Sequence, residues 1–414
     1  MKLQKYSIGT GDRFGCQGKA QLKAIMKARE LNLDIAIVWN KSHREHQIIG
    51  TTPSDVLSEA QNAIKDLNWN GNYYIDADHV NLSNVDIFID SCNFFTLDVA
   101  DFIGQRATDK AIQEFVEKCE KFKGNMKILK LDELLIVNND LLNIIAEKYL
   151  LAIKEAGKIY RKIEKKKGKD NFITEISMDE TNEPQTPIEI FFILAAIAEE
   201  KIPIQTIAPR LHGKFIKGVD FIGDITQFRK EFEMILALIQ HAVKEFSLPD
   251  NLKLSIHSGS DKFSIYGVIN KAIKKFDAGI HLKTAGTTWL EELIGLAMAG
   301  GEGLEFVKEI YAKAYNRYDE LCLPYETVID INKRNLPLPE DVNTWSSGKV
   351  INTLRHDLSC SSFNPDFRQL LHVGYKIAAE MGSRFIKALK TYEDVISQNV
   401  THNLHERHIK SLFV

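Results

Sequence analysis

Residues 252 to 288, LKLSIHSGSDKFSIYGVINKAIKKFDAGIHLKTAGTT, constrain the fold more than any other stretch of the chain. Two strand-like segments, Leu252–Ile256 and Gly279–Lys283, each carry a histidine into a polar turn: His257-Ser258-Gly259-Ser260 after the first, and His281 with Thr284-Ala285-Gly286-Thr287 around the second. Helical patterns follow both. Strand, polar turn and helix, repeated, form the βα unit of a parallel sheet, in which chemistry gathers at the carboxyl ends of the strands.

Further strands read along the chain in the same rhythm. They are Lys5–Ile8, Asp34–Trp39, Asn72–Asp76, Val85–Ile89, Asn171–Met178 and Ile202–Ile207, with helices such as Pro187–Glu200 and Gln227–Phe246 between them. Eight strands over about 300 residues predict a (β/α)8 barrel of the TIM type. The expected division is a catalytic barrel over 1–302 and a C-terminal helical extension over 303–414 that packs on it. An insertion after strand 4, residues 108–169, holds an extra strand at Met126–Leu131 and a long helix at Asp140–Lys167; it is a candidate lid or oligomer contact.

With 44% hydrophobic and 26% charged residues and a net charge of −3, the composition offers no field to hold nucleic acid or an anionic membrane. Small ligands are the expected partners, and a homo-oligomer is open. The basic run Arg161–Lys167 reads as a solvated helix end capped by Gly168. Five scattered cysteines without a CxxC pair indicate a reducing compartment, and with no apolar leader or 20-residue apolar run the expected location is the cytoplasm. The turn Gly9–Gly15 is not a dinucleotide fingerprint, since Phe14 stands where the third glycine belongs.

Strand alternation places Asp76 with Asp78, Glu175 with Ser177 and Asp179, Ser255 with His257, and His281 with Lys283 on common faces. Pointed inward, they would bring carboxylates and imidazoles together at one rim. Three histidines, His79, His257 and His281, each near the carboxyl end of a different strand, suit a divalent cation such as Zn, Mn, Ni or Co with open positions for substrate. Asp78, Glu175 and Asp179 are the candidate acid/base groups, although Asp78 and Asp179 would also serve as helix caps. Asp12, Arg13, Lys262, Lys283 and Thr284 are the candidate substrate contacts. The loops Ser258–Ser260 and Thr284–Thr287 lie where barrels bind anions through backbone amides. His43, His46, His402, His405 and His408 have no such placement and are expected at the surface.

The blocks GTGDRFG at 9–15, DADHV at 76–80, EISMDET at 175–181, IHSGSDKFSIY at 256–266, HLKTAGT at 281–287 and RQLLHVGY at 368–375, with Phe221–Asp224 and Gln227-Phe228, resemble the tagaturonate epimerase family. That resemblance implies a metal-assisted barrel that interconverts tagaturonate and fructuronate. Its metal and acid/base chemistry would fall on His79, His257 and His281 with Asp78 and a strand 5 carboxylate, either Glu175 or Asp179. Another barrel enzyme acting on a sugar phosphate, or a non-catalytic sugar-acid binder, are the alternatives.

Overall fold

A computed structural model describes residues 1–128, 131, 134–257 and 261–414. Eight parallel strands close into a barrel, each hydrogen-bonded to its neighbours in chain order. They are β1 (Tyr6–Gly11), β2 (Ile35–Ser42), β3 (Tyr73–Val80), β4 (Phe94–Asp98), β5 (Ile173–Met178), β6 (Thr206–Pro209), β7 (Lys253–His257) and β8 (Ile280–Lys283). Closure comes from β8 pairing with β1, with Ser7 beside His281. Strands covered on both faces require runs that are buried throughout, and β5 is buried at all six positions. This is the (β/α)8 architecture read from the sequence.

Local sequence starts the surrounding helices. Thr186 and Glu189 form a capping box ahead of helix Pro187–Glu199, with proline in its first turn. Asp224 accepts from the amides of Thr226 and Gln227 at the start of helix Ile225–Glu245. Helix Asn139–Lys167 ends at Gly168, which has φ 81°. Its basic end is engaged locally, with Lys162 2.7 Å from Asp86 and Arg161 3.1 Å from Glu200.

Three expected strands are corrected. Residues 85–89 do not form strand 4: Val85–Ile87 is a 3-10 turn, with Val85, Phe88 and Ile89 buried and Asp86 and Ile87 outward. That spacing is helical, and the fourth strand is the continuous run Phe94–Asp98. The sixth strand begins four residues later than Ile202, because Pro203 has no N–H to give and the ladder starts after it, where the amide of Gln205 donates to Thr174. In the insertion, the strand expected at Met126–Leu131 is Gly124–Lys127, paired antiparallel with Leu134–Val137; Leu129 and Lys130 lie outside the described residues.

A second core beside the barrel gathers helix Thr288–Ala299 and the C-terminal helices around Trp289, Leu293, Tyr311, Phe367 and Phe385. The chain then returns to the barrel, where Leu404, Ile409, Leu412 and Phe413 join its core. This return corrects the expected surface histidines. His46, His405 and His408 are buried, His43 is half-buried, and only His402 of that set is exposed. The His408 ring joins Asp261 at 3.0 Å and Tyr266 at 2.7 Å.

Close approach between the two helical layers depends on Gly295, whose added Cβ would lie 2.8 Å from the Ile396 Cα. Gly295→Ala is expected to destabilise the chain by about 1–3 kcal/mol in denaturant titrations, through overpacking, while leaving any bound metal in place.

Candidate active site

The carboxyl ends of β3, β5, β7 and β8 carry the candidate residues into one rim. Lys283 ends β8, and its ammonium lies 2.8 Å from Asp76, 2.7 Å from Asp78 and 3.3 Å from Glu175. It also donates to the Thr96 hydroxyl, which itself donates to Asp76 at 3.0 Å. Burial opposes the charge on Lys283, but Asp76, Asp78 and Glu175 raise its pKa well above the ordinary lysine range. Burial likewise resists ionisation of Asp78, yet Lys283 and His79 hold its pKa down to about 2. For Glu175, Lys283 and His257 overcome burial and hold it well below the carboxylate range. Burial prevails at Asp76, pushed up to about 6.

Beside this cluster stand two imidazoles. The His257 Nε2 lies 2.8 Å from Glu175 and its Nδ1 3.1 Å from Asp179. The His79 ring lies 5.4 Å from the His257 ring, with Asp78 at 3.6 Å and Asp98 at 3.4 Å. A regular strand would turn His79 to the outer face, opposite Asp78. The register of β3 shifts between Ala77 and Val80, however, and His79 has φ 53°, which brings its ring inward. Burial lowers the affinity of both rings for protons, but Asp78 and Asp179 raise His79 to about 10, and Asp179 and Glu175 raise His257 to about 9.

Ligand atoms of His79, Asp179 and His257 lie within 4.8 Å of one another. Two imidazoles and a carboxylate with a further carboxylate behind one ring make a donor set suited to a divalent cation. The charge fits as well: one dication in place of the two ring protons leaves the local charge unchanged. His281 stands apart from this group. Its Nδ1 meets Ser7 at 2.9 Å on the neighbouring strand, and burial pushes its pKa down to about 3.

The rim opens into a cavity of about 730 Å³ lined by Asp78, His79, Asp179, His257 and Lys283. Arg13 and Thr284 also line it, whereas Asp12 and Lys262 do not. Asp12 is turned to the backbone, accepting from the amides of Phe14, Gly15, Cys16 and Gln17, which fixes the turn into helix Gly18–Glu30. The Lys262 ammonium donates to the carbonyls of Ile216 and Val219. The loop after β8 lines the wall through Thr284, Ala285 and Thr287; the Ser258–Ser260 loop lies outside the described residues. Thr96 and Asp98 were missed because strand 4 was read too early. Their signal is present in Phe94–Asp98, an apolar run that ends in an acidic residue.

Lys283→Met would leave three carboxylates buried without their cation, an expected loss of about 3–5 kcal/mol. Asp78 and Glu175 have folded pKa values below the unfolded ones. The stability they contribute is therefore present above about pH 4 and is lost as pH falls, towards about 2 for Asp78. The gap between wild type and variant in urea titrations is expected to be widest near neutral pH and to narrow below about pH 4; a constant gap would contradict this assignment.

The tagaturonate epimerase family model matches residues 1–412. A curated tagaturonate/fructuronate epimerase from Thermotoga maritima is 27% identical over 425 aligned positions, covering 98% of this chain and 80% of the relative. Among solved structures, a glycerol complex of the fructuronate-tagaturonate epimerase from Cohnella laeviribosi superposes with a TM-score of 0.82 at 24% identity, covering all of this chain and 82% of that one. The native form of the same enzyme gives 0.79. At that identity the superposition establishes the shared barrel. The family match spans nearly the whole sequence and includes every strand that supplies the rim, so the chain belongs to the tagaturonate epimerase family, enzymes of the isomerase class.

Proposed function

We propose that this protein interconverts D-tagaturonate and D-fructuronate with a divalent cation held by His79, His257 and Asp179. The reading is carried by the convergence of those three side chains beside the Lys283–Asp78 pair, at the mouth of a cavity in a chain of this family. In it Glu175 is the carboxylate that orients the His257 ring, and Asp179, the other strand 5 carboxylate, is the ligand. His281 belongs to the packing below.

The two ketoses differ at a carbinol carbon two bonds from the ketone, so simple enolisation does not acidify its hydrogen. Asp78 accepts the proton of that carbon's hydroxyl, and the bond to the carbon next to the ketone opens. Its electron pair passes into the ketone to give an enolate, leaving an aldehyde. The aldehyde turns, the enolate carbon re-adds to its other face, and Asp78 returns the proton to the oxygen. A divalent cation, when bound, polarises the ketone and stabilises the charge that develops on its oxygen. Lys283 keeps Asp78 ionised and ready to accept.

Purified protein with its metal is expected to convert tagaturonate to fructuronate, to lose activity on chelation and to regain it with added cation. Turnover of a ketose phosphate with none of the hexuronate would overturn the reading. His257→Ala is expected to lose the metal on elemental analysis, whereas Glu175→Gln should retain it about 10- to 100-fold more weakly. In deuterated water the inverted carbon is expected to remain unlabelled; deuterium there would exclude bond cleavage in favour of direct proton removal and return.

A further inference from the structure

The cations around the cavity are not equivalent. Arg13 reaches Glu45 at 3.1 Å, Lys283 reaches Asp78 at 2.7 Å and Lys214 lies 3.9 Å from Asp330. Arg210 donates to the Thr181 carbonyl, and Arg44 lies over the Tyr325 ring. Lys217 differs. Among the described residues its ammonium has no hydrogen-bond, ion-pair or aromatic-ring partner, although it lines the same cavity.

The segment that carries Lys217 is held firmly from beneath. Buried Lys262 donates to the carbonyls on either side of it, those of Ile216 at 2.9 Å and Val219 at 2.6 Å. Buried Arg368 donates to the Gly218 carbonyl at 2.7 Å, and the Lys217 amide donates to Val328 at 2.8 Å. Four anchors on four consecutive residues fix where the lysine stands. A surface lysine needs no such support.

Two further N–H donors line this cavity. Arg13 uses Nε on Glu45 and lies 4.1 Å over the Tyr375 ring, which leaves both Nη groups without a partner among the described residues. His372 is 4% exposed on helix Pro365–Val373 and makes no side-chain hydrogen bond to any described residue. Burial lowers the pKa of Lys217, and Arg13 and Arg44 lower it further, while Glu45 and Glu180 act the other way. Burial also holds His372 well below the ordinary histidine range, with Arg13 and Lys217 adding to that. An anion placed among these groups would relieve both.

We propose that Lys217, with Arg13 and His372, forms the subsite that binds the carboxylate of the sugar acid, so that an open-chain six-carbon acid is held at its charged end by this wall. This rests on the epimerase reading for the identity of the substrate, but not for the existence of an anion site. Lys217 acts by binding the substrate and takes no part in the bond-making steps.

Lys217→Met keeps the length of the side chain and removes the charge. The variant is expected to fold and retain its metal as the wild type does, since no described residue is bonded to the ammonium it loses. Its KM for tagaturonate should rise about 10- to 100-fold with kcat nearly unchanged, the pattern of a contact made equally in ground and transition states. Calorimetry on metal-loaded protein supplies a readout without turnover. Binding of D-gluconate, a six-carbon carboxylate without a ketone, should weaken by a similar factor, while any binding of sorbitol, its uncharged counterpart, should not change.

An unaltered KM and gluconate affinity in the variant, with wild-type turnover of tagaturonate intact, would overturn the subsite and leave the epimerase reading standing. Equal weakening of gluconate and sorbitol would also overturn it, by showing that Lys217 only shapes the wall. A selective loss of gluconate binding in a protein that turns over no hexuronate would sustain the subsite and remove the epimerase.

Discussion

The ammonium group of Lys283 makes this barrel interior possible. Asp76, Asp78 and Glu175 converge on it from two other strands, all nearly or wholly out of water. Carboxylates buried together repel one another and lose their hydration, and either effect alone would favour protonation. The central cation reverses that balance for Asp78 and Glu175, while at Asp76 burial outweighs it and Asp78 and Glu175 add to the rise. Ionised Glu175 and Asp78 then act on the neighbouring imidazoles: Glu175 fixes the ring of His257, and Asp78 raises the proton affinity of His79. The imidazoles of the rim are thus set by the charge at the centre of the cluster beside them.

The C-terminal helices belong to the same chain of dependence. Trp289 donates to the Leu371 carbonyl at 2.8 Å, joining the helix after β8 to the helix that carries His372. Asp261, just beyond β7, receives Arg368 at 2.8 Å and His408 at 3.0 Å. The same Arg368 reaches Gly218 beside Lys217. Helical layers that a bare barrel would not need therefore determine where the cavity wall stands, and they do so through buried charges whose loss would leave a partner unsatisfied.

Much of this was legible in the sequence, for physical reasons that can be named. Parallel strands buried on both faces leave continuous apolar runs, and their alternation correctly grouped Asp76 with Asp78 and His281 with Lys283. The failures also have causes. Residues 85–89 are as apolar as a strand, but their buried positions follow a helical spacing. The inward turn of His79 depends on a bulge, which has no marker in DADHV, and Asp12 could not be told from a substrate ligand because a carboxylate that accepts four amides looks the same in sequence. His408 was misread because its burial depends on the last residues returning to the barrel, a contact across 147 positions with Asp261.

His281 shows why placement near a strand end is insufficient to bring a side chain to the cavity. It lies two residues before Lys283 on β8, so the two side chains share a face but stand in different layers. At its depth the neighbours are Ser7 at 2.9 Å and the Phe94 ring at 5.5 Å, and its pKa is pushed down, which keeps the ring neutral. His257 ends β7 one layer higher, level with Lys283 in the ladder, where carboxylates hold both its nitrogens. The same residue type on adjacent strands is thus divided between the packed interior and the cavity wall by a rise of two residues. Height along the barrel axis, which the sequence encodes only through the register between strands, decides which imidazole meets the cavity.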